Sequence, residues 1–177
     1  MDELIDVLDE FGNKTGIIKT KAEIKRDGDF HRAISVLIFD EDNNVLIQKR
    51  SSSKKFFANL WSVFLKGHIQ AGETPIDACL REIYEEIGLV VNLDDLTYLY
   101  TIFEEHKDND YIERIFFDTY FIKMKFKLSD ITIQEEEVAQ VKLIPAEDLI
   151  SLFENKDPSL VPNYEDYKRI ARILKNK

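Results

Sequence analysis

G-H-I-Q-A-G-E-T-P-I-D-A-C-L-R-E-I-Y-E-E-I-G-L, residues 67–89, joins a glycine-containing turn to a short acidic helix. Thr74 and Pro75 are typical of a helix start, because a hydroxyl can cap the first turn and proline fits its first position. Asp77 stands at the capping-box position, and Gly88 is a common stop signal. The stretch therefore predicts a turn followed by one helix between Thr74 and Gly88.

The two faces of this helix differ in polarity. Apolar side chains recur at helical spacing on one face: Cys79, Leu80, Ile83 and Ile87. The other face carries three acidic side chains: Glu82, Glu85 and Glu86. Carboxylates at i, i+3 and i+4 repel one another unless a cation lies among them, and such hard oxygen ligands favour Mg²⁺ or Mn²⁺. The plain alternative is a solvated acidic face, because this chain contains 34 acidic residues.

Strand and turn signals fill the rest of the chain. We predict a hairpin over residues 4–20, an irregular charged connection over 21–30, and a second hairpin from strands 33–39 and 45–48. Further strands are predicted at 61–65, 90–92, 96–103, 115–126 and 138–144. Two more helices are predicted, from 146 to about 153 and from 163 to 175. This order of elements indicates a mixed, layered α/β domain.

Composition limits the classes of partner and compartment. The length of 177 residues suits one domain, and a net charge of −10 disfavours broad binding to nucleic-acid backbones. A small anionic substrate is compatible with this charge if a metal and a few basic side chains act locally. The single cysteine suits a reducing compartment, and the chain has no apolar run of membrane-spanning length. We therefore expect a cytoplasmic protein that binds neither nucleic acid nor membrane.

One pattern resembles the Nudix box at every defined position: Gly67, five residues, Glu73, seven residues, Arg81-Glu82-Ile83, one residue, Glu85-Glu86, one residue, Gly88-Leu89. The resemblance implies an α/β/α sandwich around a mixed β-sheet. It also implies hydrolysis of a nucleoside diphosphate linked to a further group, with Mg²⁺ or Mn²⁺ as cofactor and water as nucleophile.

The same resemblance implies a role for each box residue. The metal ligands would be Glu82, Glu85 and Glu86, with the carbonyl of Gly67 as an additional one. Arg81 would orient a ligand carboxylate and belongs with Glu82 and Glu85 to the implied catalytic set. Glu73 would pair with Arg81 and act structurally.

A general base outside the box is common in the family. The acidic run 135–137 lies just before the predicted strand 138–144, where many relatives carry such a glutamate. We assign the base to Glu137, with Glu136 as the alternative. A solvated acidic turn is the competing interpretation.

Similarity extends beyond the box to the branch related to isopentenyl diphosphate isomerase. The matching segments are L-I-D-V-L-D-E-F-G-N-K-T-G at 4–16, H-R-A at 31–33, Q-K-R-S-S-S-K-K at 48–55, L-W-S at 60–62 and G-H at 67–68. That isomerase carries a catalytic cysteine immediately before the glycine-histidine pair, where this chain has Lys66. Its box is commonly degraded, whereas this one is intact. Both departures favour hydrolysis.

The isomerase resemblance adds two groups of site residues. His31 and His68 match metal ligands of the isomerase and are a candidate second metal site, a structural role being the alternative. Arg50 and Lys54 match places that contact diphosphate, although a basic loop is often simply solvated. Two further side chains complete the substrate-binding prediction: Lys66 and Trp61.

The sequence thus predicts a single Nudix domain over 1–177, with an N-terminal hairpin extension at 1–30, the core at 31–155 and a C-terminal helix at 156–177. The predicted protein is a monomer or homodimer that hydrolyses a small-molecule diphosphate. Two alternatives stay open, an isomerase-like enzyme and a non-catalytic nucleotide-binding sensor.

Overall fold

The structure is a computed structural model that describes residues 3–108 and 111–175. Within these residues the strands are β1 (Leu4–Leu8), β2 (Lys14–Thr20), β3 (Phe30–Phe39), β4 (Asn44–Arg50), β5 (Trp61–Ser62), β6 (Leu65–His68), β7 (Leu96–Asp108), β8 (Tyr111–Lys123) and β9 (Val138–Pro145). The α-helices are α1 (Lys21–Asp27), α2 (Pro75–Ile87), α3 (Ala146–Glu154) and α4 (Tyr164–Lys175). Two single 3₁₀ turns span Leu93–Asp95 and Leu128–Asp130.

The chain forms two compact units. The first contains Met1–Val36, Lys66–Glu82 and Val91–Phe121, and the second contains Leu37–Leu65, Ile83–Val90 and Ile122–Lys177. The division falls inside continuous elements, since β3, β6, β8 and α2 each contribute residues to both units. The single-domain organisation expected from the sequence stays a prediction.

The first unit is built on the N-terminal hairpin and the strands beside it. β1 pairs antiparallel with β2 from Leu4–Thr20 to Leu8–Lys14, which confirms the predicted hairpin. β1 also pairs with β3, which is joined by β6 and β8, while β7 pairs with β8. Two apolar clusters fill this unit: Ile5, Val7 and Ile24, and Ala33, Ile115 and Phe117 with Ile102.

The prediction of an irregular connection over residues 21–30 is wrong, because Lys21–Asp27 is helix α1. The Thr20 hydroxyl accepts the Glu23 N–H at 3.3 Å, and the Glu23 carboxylate accepts the Thr20 N–H at 2.9 Å. Gly28 ends the helix with a φ of 70°, and Ile24 buries its side chain. The capping box and the buried isoleucine stabilise a helix in a segment that is otherwise highly charged.

The second unit is organised around β4. This strand pairs antiparallel with the end of β3, with β5, and along its whole length with β9, where the register shifts between Lys49 and Arg50. Helices α3 and α4 pack through Phe153 and Tyr167, whose rings stack at 4.2 Å. The two C-terminal helices and the hairpin of β3 and β4 confirm the sequence prediction.

Several strand boundaries differ from the prediction. Residues 61–65 form parts of two strands, β5 and β6, rather than one. Residues 90–92 do not form a strand. Val90 is 78% exposed, so its apolar side chain does not pack against a sheet. β7 runs beyond the predicted end at residue 103, and β8 ends at Lys123 rather than at 126. In the part of the chain that the structure describes, no helix has the length and apolar character to cross a membrane.

Candidate active site

Helix α2 begins and ends where the sequence predicts. The Thr74 hydroxyl accepts the Asp77 N–H at 3.2 Å and the Asp77 carboxylate accepts the Thr74 N–H at 3.2 Å, so the capping box is complete. Gly88 follows the last turn with a φ of 71°, a conformation that favours glycine. The apolar face is buried at Cys79, Ile83 and Ile87. The caps fix where the helix begins and ends, and its buried apolar residues show which face is turned inward.

Arg81 joins the turn before the helix to the helix itself. Its Nε and Nη2 donate to the two Glu73 carboxylate oxygens at 2.7 and 2.9 Å, and Nη2 also donates to the His68 carbonyl at 2.9 Å. Its Nη1 donates to Glu82 Oε1 at 2.7 Å. The structure therefore confirms the predicted pairing with Glu73. It also shows that Arg81 contacts Glu82, whereas the role of Arg81 in orienting a metal ligand stays a prediction.

The Arg81 contacts also set the ionisation of this group. Hydrogen bonding to Arg81 holds the pKa of Glu73 below its usual range, and the bonds to Glu73 raise the pKa of Arg81. Both side chains are about one-fifth exposed. The charges therefore stay paired and largely shielded from water.

Gly67 lies directly against the Glu82 carboxylate. A Cβ at position 67 would overlap the Glu82 side chain at Cγ, Cδ and Oε1. Glu82 is only 8% exposed, so its carboxylate occupies the space that a side chain at 67 would need. Glycine at this position therefore leaves the space in which the Glu82 carboxylate lies.

In the second unit, the other two box glutamates differ in exposure. Glu86 is 5% exposed and its Oε2 accepts a hydrogen bond from Gln48 Nε2 at 3.0 Å, whereas Glu85 is exposed. The sequence prediction missed Gln48. Its only local indication in the sequence was a polar side chain at the end of the otherwise apolar predicted strand 45–48.

Arg50, Lys54 and Glu137 lie together in this unit. The Lys54 ammonium contacts the Glu137 carboxylate directly. Burial lowers the pKa of Arg50, while the charges of Glu137 and Glu86 oppose that effect. The Arg50 Nε donates to the Phe56 carbonyl at 3.1 Å. The structure therefore gathers two predicted phosphate-binding residues and the predicted base.

Trp61 lies on β5, which pairs with β4. It is directly opposite Lys49 on β4, and the Lys142 ammonium lies 4.2 Å from the centre of its ring. Because neighbouring residues of a strand point to opposite faces, Trp61 shares the face of Lys49 and not that of Gln48. Gln48 contacts Glu86, so the strand face that carries Trp61 is not the face that contacts Glu86. The role of Trp61 in substrate binding stays a prediction.

Lys66 belongs to the first unit. Its ammonium lies 3.9 Å from the centre of the Phe117 ring and 3.6 Å from Glu104 Oε1. Burial works to raise the pKa of Glu104, but the hydrogen bond from His106 and the charge of Lys66 lower it overall. The ammonium is therefore held by an aromatic face and an ionised carboxylate.

His31 and His68 are brought together with a third residue, Glu113. The imidazole rings stack at 5.3 Å, and one ligand atom from each of the three residues lies within 4.8 Å of the others. His31 Nε2 is buried and has no hydrogen-bond partner among the described residues, and burial lowers the pKa of His31. Glu113 also pairs with Lys25 at 2.9 Å. The sequence prediction missed Glu113, because only folding of β8 beside β3 brings it near the histidines.

Comparison with known proteins gives one matching domain family. The NUDIX domain matches residues 29–166. Nudix hydrolase 3 of Arabidopsis thaliana is 36% identical over 99% of this chain, which corresponds to 24% of that protein. An uncharacterised Nudix hydrolase of Listeria monocytogenes is 33% identical over 83% of this chain and 82% of its own length.

Isomerases are also among the relatives. An isopentenyl-diphosphate Delta-isomerase of Streptomyces griseus is 36% identical over 51% of this chain and 46% of that enzyme. Among solved structures, a protein from Deinococcus radiodurans superposes with a TM-score of 0.66 at 19% identity, covering 94% of this chain and 98% of the other. At that identity the likeness concerns the fold alone, and it confirms the predicted α/β/α sandwich around a mixed sheet.

Proposed function

The chain belongs to the Nudix family, and we propose that it hydrolyses a diphosphate linkage in a nucleoside diphosphate derivative or a related small diphosphate, with Mg²⁺ or Mn²⁺ as cofactor. The family, its class of hydrolases and the branch with isomerase relatives agree with the sequence prediction. The observation that carries the proposal is the Arg81 network, because it fixes the box carboxylate Glu82 in one orientation.

The box residues suit a hard cation. We assign its ligands to Glu82, Glu85 and Glu86 of helix α2, with the Gly67 carbonyl as a further oxygen donor. Glu82 and Glu86 are each less than one-tenth exposed and stand one turn apart on the helix. All donors are oxygens, as Mg²⁺ and Mn²⁺ prefer, and a cation would reduce the repulsion that remains between these carboxylates beside the Arg81–Glu82 ion pair. A bound cation would neutralise diphosphate charge and lower the pKa of water.

The remaining site residues act on the substrate and on water. Arg50 and Lys54 would bind and orient the diphosphate, because both supply N–H donors to phosphate oxygens. Arg81 would keep Glu82 in place. Glu137 would accept the proton of the attacking water as general base. Lys66 and Trp61 remain further candidates for substrate binding.

A substrate screen with a matched variant tests this function. The panel contains nucleoside di- and triphosphates, nucleotide sugars, dinucleotides and prenyl diphosphates, each with Mg²⁺ and with Mn²⁺. We expect turnover of at least one class, and Glu85→Gln should reduce kcat by about 100-fold or more at an unchanged melting temperature. Glu165→Gln, an exposed glutamate of α4, is the control. Full activity of Glu85→Gln would contradict the metal assignment.

We also propose a second cation site at His31, His68 and Glu113. Two imidazoles and one carboxylate suit Zn²⁺ or Mn²⁺ better than Mg²⁺. The buried Nε2 of His31 supports this assignment, and Lys25 would have to leave Glu113. After dialysis against Zn²⁺, the His31→Asn variant should contain about one metal ion per chain fewer than wild type. The control Glu105→Gln should contain as much metal as wild type. Equal metal content in the two variants would contradict the site.

Isomerisation of isopentenyl diphosphate is the second candidate function, favoured by the same histidine pair. Lys66 counts against it, since this residue occupies the place of the isomerase cysteine. Incubation with isopentenyl diphosphate separates the two, because hydrolysis releases phosphate or pyrophosphate and isomerisation gives the dimethylallyl product. A ligand that raises the melting temperature without any turnover would instead indicate a sensor. Cytoplasmic location and a monomeric or homodimeric state stay predictions.

A further inference from the structure

Lys54 and Glu137 have separate tasks in the proposed reaction, yet they bind each other in this structure. The lysine would hold diphosphate, and the glutamate would take a proton from water. Their side chains are 27% and 34% exposed, so the pair is accessible to a ligand from solvent. The charge of Arg50 also acts on Glu137 from within the same unit.

The backbones that carry this pair are tied together independently of it. The Ser51 N–H donates to the Glu137 carbonyl at 3.0 Å, and the Ser53 hydroxyl donates to the Glu136 carbonyl at 2.9 Å. The Gln134 N–H donates to the Glu86 carbonyl at 2.9 Å, which connects the same segment to helix α2. The Lys54 ammonium can therefore change partner by rotation of its flexible stem, without moving either backbone segment.

We propose that the Lys54 ammonium is exchanged between Glu137 and the substrate diphosphate, so that diphosphate binding releases the Glu137 carboxylate for its role as base. This inference rests on the proposed hydrolase function. A diphosphate carries more negative charge than one carboxylate and therefore competes well for the ammonium. Once the ammonium has moved away, the oxygens of the Glu137 carboxylate that it contacted can accept a hydrogen bond from water.

The exchange fits the balance of the hydrolytic step. The water oxygen forms a bond to phosphorus, and the bridging P–O bond breaks with its electrons remaining on the departing phosphate. The proton lost by water goes to Glu137. In the free protein Lys54 neutralises that base, so Lys54 is a substrate-binding residue that also positions Glu137.

Competition for Lys54 can be measured as binding affinity without catalysis. The probe is methylenediphosphonate with Mg²⁺, whose P–C–P bridge cannot be hydrolysed, titrated by calorimetry into the full chain. Glu137→Gln should tighten binding by about 3- to 10-fold, because it removes the competing carboxylate. Lys54→Met should weaken binding by about 10-fold, and Lys54→Arg should retain most of the affinity.

The double variant carries the decision. In the Lys54→Met background, Glu137→Gln should change the affinity by less than about 2-fold, since no ammonium is left to compete for. Glu135→Gln is the matched control, because it removes the same charge from an exposed residue of the same acidic run. Equal tightening by the control, or by Glu137→Gln in both backgrounds, would mean a general charge effect and overturn the exchange.

The outcomes also separate this inference from the function on which it rests. If the wild-type protein hydrolyses a diphosphate but the Glu137→Gln variant binds the probe no more tightly, the proposed function stands and the exchange of Lys54 is rejected. If the protein neither binds the probe nor hydrolyses any member of the panel, both the proposed function and the exchange are rejected.

Discussion

Arg81 and Lys54 are two basic side chains bound to glutamates, and they are held in different ways. Arg81 donates hydrogen bonds in several directions, to Glu73, Glu82 and the His68 carbonyl. Lys54 forms an ion pair with Glu137 through one ammonium group. A planar guanidinium that binds in several directions fixes its partners, whereas an ammonium on a flexible stem can be shared.

The difference corresponds to the tasks proposed for the two regions. The Arg81 network holds a carboxylate assigned to the cation, which has to stay in place throughout the reaction. The Lys54 pair contains a group assigned to the substrate, which has to release its partner. Fixed and exchangeable ion pairs should therefore respond differently to mutation.

The largest expected effect is on stability at the fixed pair. Arg81→Met leaves two shielded carboxylates without their cation, so we expect a loss of about 3 kcal/mol in the free energy of unfolding. Urea denaturation measures the loss. The control is Arg26→Met, which removes an exposed arginine paired with Asp27 and should leave the free energy of unfolding almost unchanged. Equal losses in the two variants would remove the distinction between a fixed network and a surface pair.

The next effect concerns the glycine that accommodates Glu82. Gly67→Ala places a methyl group where the Glu82 carboxylate lies, so that carboxylate must move and kcat should fall by about 100-fold. Gly72→Ala, in the turn that follows β6, is the matched control. Its Cβ meets nothing within 4 Å, although its φ of 87° should lower stability by about 1 kcal/mol. Normal kcat in Gly67→Ala would show that Glu82 need not hold its position.

The comparison also shows which parts of the site a sequence can reveal. The members of the Arg81 network, Glu73, Arg81 and Glu82, stand close together in one turn and helix, so they belong to a single local motif whose resemblance to the Nudix box implies their pairing. Helix α1 had a local signal as well, in Thr20 and Glu23, but surrounding charge concealed it. In both helices the caps decide the boundaries, because they satisfy backbone groups that the helix leaves open.

Other site residues depend on contacts distant in the sequence. Gln48 reaches Glu86 only because strand and helix pack together, and Glu113 reaches His31 only through strand pairing. Neither belongs to a local motif. The pairing of Lys54 with Glu137 is of the same kind, since 83 positions separate them. Sequence can assign these residue types to a task, but their partners follow from the tertiary fold.

A smaller effect is expected at the exchangeable pair. Lys54→Met should leave the free energy of unfolding within about 0.5 kcal/mol of wild type, because a partly exposed ion pair contributes little. The KM for a hydrolysed diphosphate should rise by about 10-fold. Lys55→Met is the control, since this neighbouring lysine is exposed and its ammonium lies 5.3 Å from the centre of the Phe56 ring. A rise of equal size in the control would assign the effect to the charge of the whole loop.

The smallest effect is the response of the fixed pair to acid. Arg81 holds the pKa of Glu73 below its ordinary value of 4.5, so the folded protein binds this proton less readily than the unfolded chain. The resulting stabilisation is complete above about pH 4.5 and is lost as the pH falls towards the folded pKa. The melting temperature of wild type should therefore exceed that of Glu73→Gln at pH 7, by an amount that shrinks as the pH falls below about 4.5.

The same titration in an Arg81→Met background tests the cause. Without the guanidinium, the pKa of Glu73 should return towards its ordinary value, and the change in melting temperature caused by Glu73→Gln should no longer depend on pH. If the dependence persisted, the Gln70 N–H, which donates to Glu73 Oε2 at 2.8 Å, would be the group that keeps this carboxylate ionised. Arg81 would then fix Glu82 alone, and the turn would hold Glu73 through its own backbone.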